Sequence, residues 1–542
     1  MGTFGIDLGT TYSCISTLDK NGNPEIIKNQ ADNTDTLASV VFFENENNIV
    51  VGEAAKERIE TDGDRVVDCI KRQIGKPDAK TYTYFGKTYN PTDISSLILR
   101  RIKQMAEEQG YEVNDVVITC PAYFGFEELE ETRKAGMLAG MNVLSVIAEP
   151  TAAALSYCAR QFQEERTVMV YDLGGGTFDV TILKMSMGTN AEGQEVQKVK
   201  VLTTGGDDLL GGKDWDDRLV EYVTNACCNE NGISVEEMDQ ETHQLIRSRV
   251  ENAKKKLTNL EETSVKININ NSITKVKITR EEFENLTADL VQKTMSYVEK
   301  TIQDAGNIPI DTVLLVGGSS FMPMIKNAVE QRFPGIVQFE DPNHAVAKGA
   351  AVYSSILVEA SRAEKSETTD GGAASGGEAM SILNPIEVVD RTPRSFGPGV
   401  LDESNVYIID NLIKINAEMP VEETRSYYAP KDNMPSVELR AFENMSSSDR
   451  VTPCIDMEGN EQYSDPADKV KCIGTLHIDL PAGTRKGTEF KVTFRVENRE
   501  IYIEAVNVST GEPFSTKIQI GTDVDVENSV VNQVAIRSET ED

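Results

Sequence analysis

Histidine is scarce: His243, His344 and His477 are the three in 542 residues, and they lie far apart in the chain. That scarcity argues against zinc sites and Ser-His chemistry, both of which need imidazoles brought together with their partners. The eight cysteines (14, 69, 120, 158, 227, 228, 454 and 472) form no C-x-x-C pair, and six sit inside apolar segments. They read as small buried hydrophobes of a reducing compartment. No run of 18 apolar residues occurs, and the start MGTFGIDLGTTYS has no basic or apolar leader region. The expectation is a cytoplasmic protein without a secretion signal or membrane span. Gly2 follows the initiator Met, but Ile6 stands where a myristoylation pattern wants Ser or Thr. Positive charge is also in deficit: 54 Lys+Arg face 88 Asp+Glu, a formal net charge of −34. Such an excess repels phosphate backbones and anionic lipid, which makes nucleic acid and membranes poor partners. A phosphate bound by this chain must be held by backbone N–H groups and a metal ion.

What is present falls into zones. Residues 1–362 alternate β-branched runs with helix-period segments, the mark of α/β architecture. Residues 363–381 are small, polar and Gly-rich and read as a flexible linker. Residues 382–522 show strand alternation. Phe490, Val492, Phe494 and Val496 alternate with polar residues, and Ile501, Ile503 and Ala505 follow after ENRE, which predicts a hairpin. Leu476, Ile478 and Leu480 repeat the pattern, so this zone is a β-sandwich candidate. Residues 523–542 read as an acidic tail with little to bury.

The first zone contains a repeat. Phe4-Gly5-Ile6-Asp7-Leu8-Gly9-Thr10-Thr11-Tyr12 is echoed by Val170-Tyr171-Asp172-Leu173-Gly174-Gly175-Gly176-Thr177-Phe178, with the two Asp residues 165 apart. Each copy reads as strand, Gly turn, strand. Two copies at domain spacing imply a duplicated pair of lobes facing each other. Gly turns let backbone N–H groups approach phosphate oxygens, Thr10, Thr11 and Thr177 add hydroxyls, and Asp7 and Asp172 can hold Mg²⁺ directly or through water. A third turn, Val316-Gly317-Gly318-Ser319-Ser320 after an apolar run, can pack against a base or ribose. No Walker A pattern occurs.

These motifs resemble the actin-like ATPase superfamily. More sharply, GIDLGTTYS (5–13), VGEAAKER (51–58), IKRQIG (70–75), PAYF (121–124), AEPTAAALSY (148–157), YDLGGGTFDV (171–180), GGKDWDDRL (211–219) and LLVGGSS (314–320) resemble the seventy-kilodalton, DnaK-type heat-shock chaperones. The likeness runs through residues 3–358 and continues, thinner, in DRTPRSFG (390–397), KDNMPSVEL (431–439) and 489–513. It implies a two-lobed ATPase with a duplicated ribonuclease-H-like core, followed by an all-β peptide-binding sandwich. It also implies a slow ATPase that uses ATP/ADP with Mg²⁺ and K⁺.

By the same resemblance Lys71 orients the attacking water, Glu149 aligns it through the metal shell, and Thr177 lies near the γ-phosphate. Asp7 and Asp172 serve the metal, while Gly9, Thr10, Thr11, Tyr12, Gly174, Gly175, Gly176, Gly317, Gly318 and Ser319 frame the nucleotide. Glu251, Lys254 and Thr258 fall on one helix face and match the adenosine contacts, a solvated charged face being the plainer reading. Val437 matches the residue that grips an apolar peptide side chain. Implied partners are extended polypeptide, a J-domain co-chaperone and a nucleotide exchange factor.

The chain also departs from the family. Leu129 replaces an interdomain relay Arg, Phe321 replaces the Arg that stacks on adenine, and Ser145 and Ala148 replace J-domain contacts. Glu387-Val388-Val389 stands in place of a Leu-rich linker, which predicts weak docking of the linker on the ATPase. An apparent insertion between Asn444 and Ile473 carries Cys454 and Cys472. After Gly521, 21 residues remain, fewer than a helical lid needs, so the expectation is lidless peptide binding. The alternative function is a nucleotide-gated scaffold with one dedicated partner. A small-molecule kinase of the same superfamily would leave the β-domain unexplained.

Overall fold

The computed structural model describes residues 2–537 apart from 31–32, 77, 159–163, 190–192, 194, 270–271, 340, 368–385, 403, 405, 456–460, 464–469, 481–482, 498–499, 512 and 519–528. Most of the predicted linker therefore lies outside the described residues.

Lobe I is built on strands β1 (Phe4–Asp7), β2 (Tyr12–Leu18) and β3 (Pro24–Ile26). A small sheet adds β4 (Val41–Phe43) and β5 (Asn48–Val51). Helix α1 (Pro91–Glu107) starts at a capping box between Asn90 and Asp93 with Pro91 in the first turn, and buries Ile94, Leu97, Ile98 and Ile102 along one face. Then come β6 (Asp115–Cys120), α2 (Phe126–Leu138), β7 (Asn142–Ala148) and α3 (Glu149–Cys158). The main sheet runs β7-β6-β1-β2-β3, the first two pairings parallel and the last two antiparallel.

Lobe II repeats that plan. Its strands are β8 (Arg166–Leu173), β9 (Phe178–Thr189), β10 (Glu195–Asp207), β11 (Thr312–Val316) and β12 (Val337–Gln338). They run β12-β11-β8-β9-β10 with the same sequence of parallel and antiparallel pairings. Helices α4 (Gly212–Asn231) and α5 (Gln240–Leu257) pack on this lobe around fully buried Trp215, Leu219, Val223, Ile246 and Val250. The duplication read from the two hairpins is thus a duplication of whole sheets. Helix α6 (Ala345–Glu367) returns to pack on α3 and β1, with Ala350 and Val352 fully buried among residues of both lobes.

Each lobe sheet takes a sixth strand: in lobe I it is Leu37–Ala38, which pairs with β2. Strand β13 (Ile386–Val389) pairs parallel to the β10 edge, Gln197 opposite Ile386 through Lys200 opposite Val389. The sequence places these residues with the sandwich and predicts poor docking. The free edge of β10 overrides that expectation, because edge pairing uses backbone groups whatever the side chains. Glu387 faces Lys198 in an ion pair at 2.8 Å, so the linker's charge is matched.

The sandwich follows: β14 (Ser395–Leu401), β15 (Tyr407–Asp410), β16 (Val421–Tyr428), β17 (Ser436–Asn444), β18 (Lys471–Asp479), β19 (Glu489–Glu497), β20 (Glu500–Asn507) and β21 (Pro513–Ile518). One sheet contains β15-β14-β17-β18 and the other β16-β19-β20-β21. The predicted hairpin forms in register, Val496 opposite Ile501, and its inward Phe490, Val492, Phe494, Ile501 and Ile503 are buried with Leu476 and Ile478 of the facing sheet.

The sandwich sits against lobe I. Phe126, at the start of α2, buries its ring in the sandwich core, and its backbone N–H donates to Glu443 Oε2 at 2.9 Å. Lys471 pairs with Glu127 and donates to the Gly75 carbonyl at 3.4 Å. On the lobe II side, Arg391 Nε donates to the Val201 carbonyl at 2.7 Å.

The tail is the second departure from expectation. Residues Val530–Gln533 make a 3-10 turn, and β22 (Ala535–Ile536) pairs parallel to β5 of lobe I. Val531 is fully buried in the lobe I core. Acidic composition hides the apolar set Val530, Val531, Val534 and Ile536 that makes this possible.

Candidate functional site

The two hairpin turns meet head to head between the lobes. In lobe I, Asp7 pairs with Cys14 across the turn, and in lobe II, Leu173 pairs with Phe178 while Gly174 N–H donates to the Thr177 carbonyl at 3.0 Å. A Cβ on Gly175 would lie 1.9 Å from Thr11 Oγ1, and one on Gly176 would lie 2.5 Å from Thr10 Cγ2. Glycine alone permits that approach. The third turn closes in the same way: Gly317 has φ 83°, and a Cβ there would fall 2.5 Å from Asp172 Oδ1. Ser319 Oγ donates to the Gly174 carbonyl at 2.8 Å, tying the third turn to the second.

The three turns enclose a cavity of about 600 Å³. Asp7, Gly9, Thr10, Thr11 and Tyr12 line it from lobe I, and Asp172, Gly174, Gly175 and Thr177 from lobe II. Gly317, Gly318, Ser319 and Phe321 form the far wall, and Glu251, Lys254 and Thr258 a side. Gly176 belongs to the turn but supports the wall from behind, its carbonyl accepting from Arg72 Nε at 2.8 Å. Val437 is elsewhere, half-buried on β17 opposite Ile478.

The floor of the cavity is electrostatically unbalanced. Lys71, in the 3-10 turn Ile70–Gln73, is buried and ion-paired with Glu149, the first residue of α3. Around that cation stand Glu149, Asp172 and Asp179, all buried, and half-buried Asp7. Burial, reinforced by Glu149, pushes the Asp7 carboxyl up to about 7, even though Lys71 and a Thr119 hydroxyl at 3.1 Å oppose the shift. Burial also pushes Asp172 well above the usual carboxylate range, with Glu149 and Asp7 adding to it. Asp179 moves the same way by burial and Glu149, against an Ala122 N–H donor at 3.2 Å. Burial alone would lower the Lys71 ammonium, but Glu149 and Asp7 outweigh it and the net shift is upward. Four acids around one ammonium suit a divalent cation.

Among the described residues no group of three or more His, Cys, Asp or Glu could hold a metal alone. Mg²⁺ does not need one, since it is commonly held by one or two carboxylates, water and substrate phosphates. Asp7 and Asp172 fit that donor set. Cys69, two residues before Lys71, caps this turn at φ 53°, a left-handed conformation unusual for a non-glycine residue.

On the side wall, Lys254 donates to the Gly212 carbonyl at 2.8 Å and to Asp216 at 2.7 Å. Glu251 pairs at 2.8 Å with both Lys56 of lobe I and Lys255. Burial would raise the Glu251 carboxyl, but the two lysines outweigh it and bring it down to about 2. Both lysines also donate to the Tyr12 hydroxyl at 2.9 Å and lie over its ring. This bridge between the lobes was missed in the sequence, because Lys56 and Tyr12 meet α5 only through the fold. Arg72 was missed too, although it stands beside Lys71 in IKR. It spans the cleft from lobe I to the Asp214 carboxylate at 2.8 Å.

The departures from the family pattern find places. Leu129 is buried in the lobe I core, where a charge could not sit unpaired. Phe321 faces the cavity and meets Phe339 edge-on, ring centroids 4.8 Å apart. Ser145 is half-buried and Ala148 buried on β7. The described cysteines are free, with Cys14, Cys120, Cys158, Cys227 and Cys228 buried. No helix among the described residues is long and apolar enough to cross a membrane.

Comparison with known proteins gives a consistent result. The family model for Hsp70 protein matches residues 3–82 and 78–539. The chain is 32% identical over 519 residues to chaperone protein DnaK of Thermosipho melanesiensis, covering 94% of this chain and 78% of that protein. It is likewise 32% identical over 524 residues to chaperone protein DnaK of Thermosipho africanus, with the same coverage of each.

Proposed function

The chain belongs to the Hsp70 family of ATP-dependent chaperones, and from that premise we propose that it hydrolyses ATP slowly at the interlobe cavity and binds extended polypeptide on its sandwich. The observation that carries this reading is the set of acids, buried Glu149, Asp172 and Asp179 with half-buried Asp7, gathered around Lys71 beneath two facing Gly turns. Bound Mg²⁺ would supply charge neutralisation for the phosphates, with Asp7 and Asp172 as its protein-side partners and K⁺ as a second ion in keeping with the family. Lys71 and Glu149 hold the attacking water, Thr177 donates toward the terminal phosphate, and the turns at 9–12 and 174–176 position the phosphate chain. Phosphoryl transfer asks for placement and charge more than covalent help, which such a set can give. The base and ribose lie against Phe321, Gly317, Gly318 and α5.

The ATPase unit spans 1–362, and the sandwich grips peptide near Val437. Leu401 and Val406, exposed at the end of β14 and before β15, offer further apolar surface. In this reading the sandwich binds peptide without a lid, and bound peptide exchanges fast. Docked β13 favours coupling of nucleotide state to the sandwich over an uncoupled, dedicated scaffold. A J-domain partner and an exchange factor would act on the lobes.

Single-turnover hydrolysis tests the site. Lys71→Ala and Thr177→Ala should each lose about a hundredfold in rate with nucleotide binding retained, and normal hydrolysis in both would sink the assignment. A panel of extended apolar peptides tests the sandwich: peptide that neither binds nor alters the rate would leave the scaffold reading in its place.

A further inference from the structure

We propose that lobe I carries a strand-addition site for an extended apolar segment, and that residues 529–537 are its resident ligand, a releasable strap on the sandwich. The inference does not depend on ATP hydrolysis. Its basis is the way the segment is held. Ala535 N–H donates to the Asn47 carbonyl at 2.8 Å and Arg537 N–H to the Ile49 carbonyl at 3.0 Å, extending the β5 edge. The guanidinium of Arg100, on α1, forks to the carbonyls of Val531 (2.7 Å) and Val534 (2.8 Å). Lys87 Nζ donates to the Gln533 carbonyl at 3.2 Å. All these contacts read backbone, so they fix direction and register without demanding a sequence.

Sequence enters through three side chains. Val531 is fully buried, Val534 nearly so, and Arg537 pairs with Glu44 at 3.1 Å on the rim. Backbone pairing along a sheet edge with pockets for spaced side chains is how peptide-binding domains capture extended ligands. The segment is short, with a strand of two residues, and its own affinity is correspondingly modest. Tethering supplies the rest, because a short connection raises the local concentration to about millimolar. A segment whose own affinity is modest can leave when the chain leading to it is pulled.

The pull has an origin. The sandwich is joined to lobe II through β13 and, through the ten residues 519–528, to the strap on lobe I. Ten residues reach at most about 35 Å. The sandwich can therefore move only within that radius of lobe I until the strap comes off, and its release then uncovers the β5 edge.

The test uses the full chain and a fluorescein-labelled nonapeptide with the sequence of residues 529–537. Val531→Asp and, on the half-buried rim away from the core, Arg537→Glu should each free the site. Either variant should take up the peptide at least tenfold more tightly than the wild type, and adding Arg100→Gln should abolish uptake. Amide hydrogen exchange should find Ala535 and Arg537 protected in the wild type and exposed in both variants. Equal uptake by wild type and variants, no uptake by either variant at millimolar peptide, or unprotected amides in the wild type would overturn the proposal. So would a wild-type dimer by sedimentation whose dissociation abolishes the protection, since the strap would then belong to a second copy.

Discussion

At the third Gly turn Phe321 faces the cavity, and Phe339 holds the ring edge-on. A ring can stack on a base as a guanidinium can, without its charge or its salt sensitivity. Phe321→Ala should weaken nucleotide affinity about tenfold, the usual worth of one aromatic stack, and leave the single-turnover rate at saturating ATP unchanged. Titration with a fluorescent ATP analogue checks the first part, and wild-type affinity in the variant would remove Phe321 from the base pocket. Most of the proposed site was legible residue by residue, because Asp7, Asp172 and the glycines sit in short motifs whose local geometry is their function. Lys56, Arg72 and Lys255 were not, since what matters about them is the partner each finds across the cleft.

Between elements, the same distinction recurs. The hairpin of β19 and β20 was legible because alternation and a turn are adjacent in sequence, whereas β13 and β22 form only where a distant sheet leaves an edge open. The contact of α2 with β17 makes a prediction of its own. Glu443 is buried there, facing Arg394 of its own domain and Glu128, Lys76 and the Phe126 N–H of lobe I. Burial raises its carboxyl to about 7, Glu128 adding and Arg394 opposing. The docked form thus holds a proton that a solvated Glu443 gives up near its ordinary 4.5. Docking is favoured below that ordinary value and weakens as pH rises toward 7, the penalty being complete above it. Between pH 6 and pH 8 the docking constant should fall about tenfold. A spin-label pair on lobe I and the sandwich reads the distance at both pH values, and Glu443→Gln should flatten the profile. A profile that keeps its slope in that variant places the titrating group elsewhere.

For the whole molecule, an acid-rich chain that encloses an acid-rich floor should depend on its cation for nucleotide-linked stability. With nucleotide at about a hundred times Kd, MgATP should stabilise the ATPase by roughly 2.7 kcal/mol. Chelating Mg²⁺ should remove most of that gain, and thermal unfolding with and without EDTA measures it. A gain undiminished by EDTA would mean that the four acids are not a cation floor. The return of α6 to lobe I has a further consequence, in the order of synthesis. Gly5, on the first strand, lies against the backbone of Ala351, and fully buried Val531 completes the same lobe. At about 5–20 residues per second, α6 leaves the ribosome roughly 20–70 s after β1. Until then the face of β1 that α6 covers is bare, so the nascent chain spends that interval as the kind of exposed apolar surface that aggregates. A protein of the chaperone class is, on this geometry, itself a demanding client during its own translation.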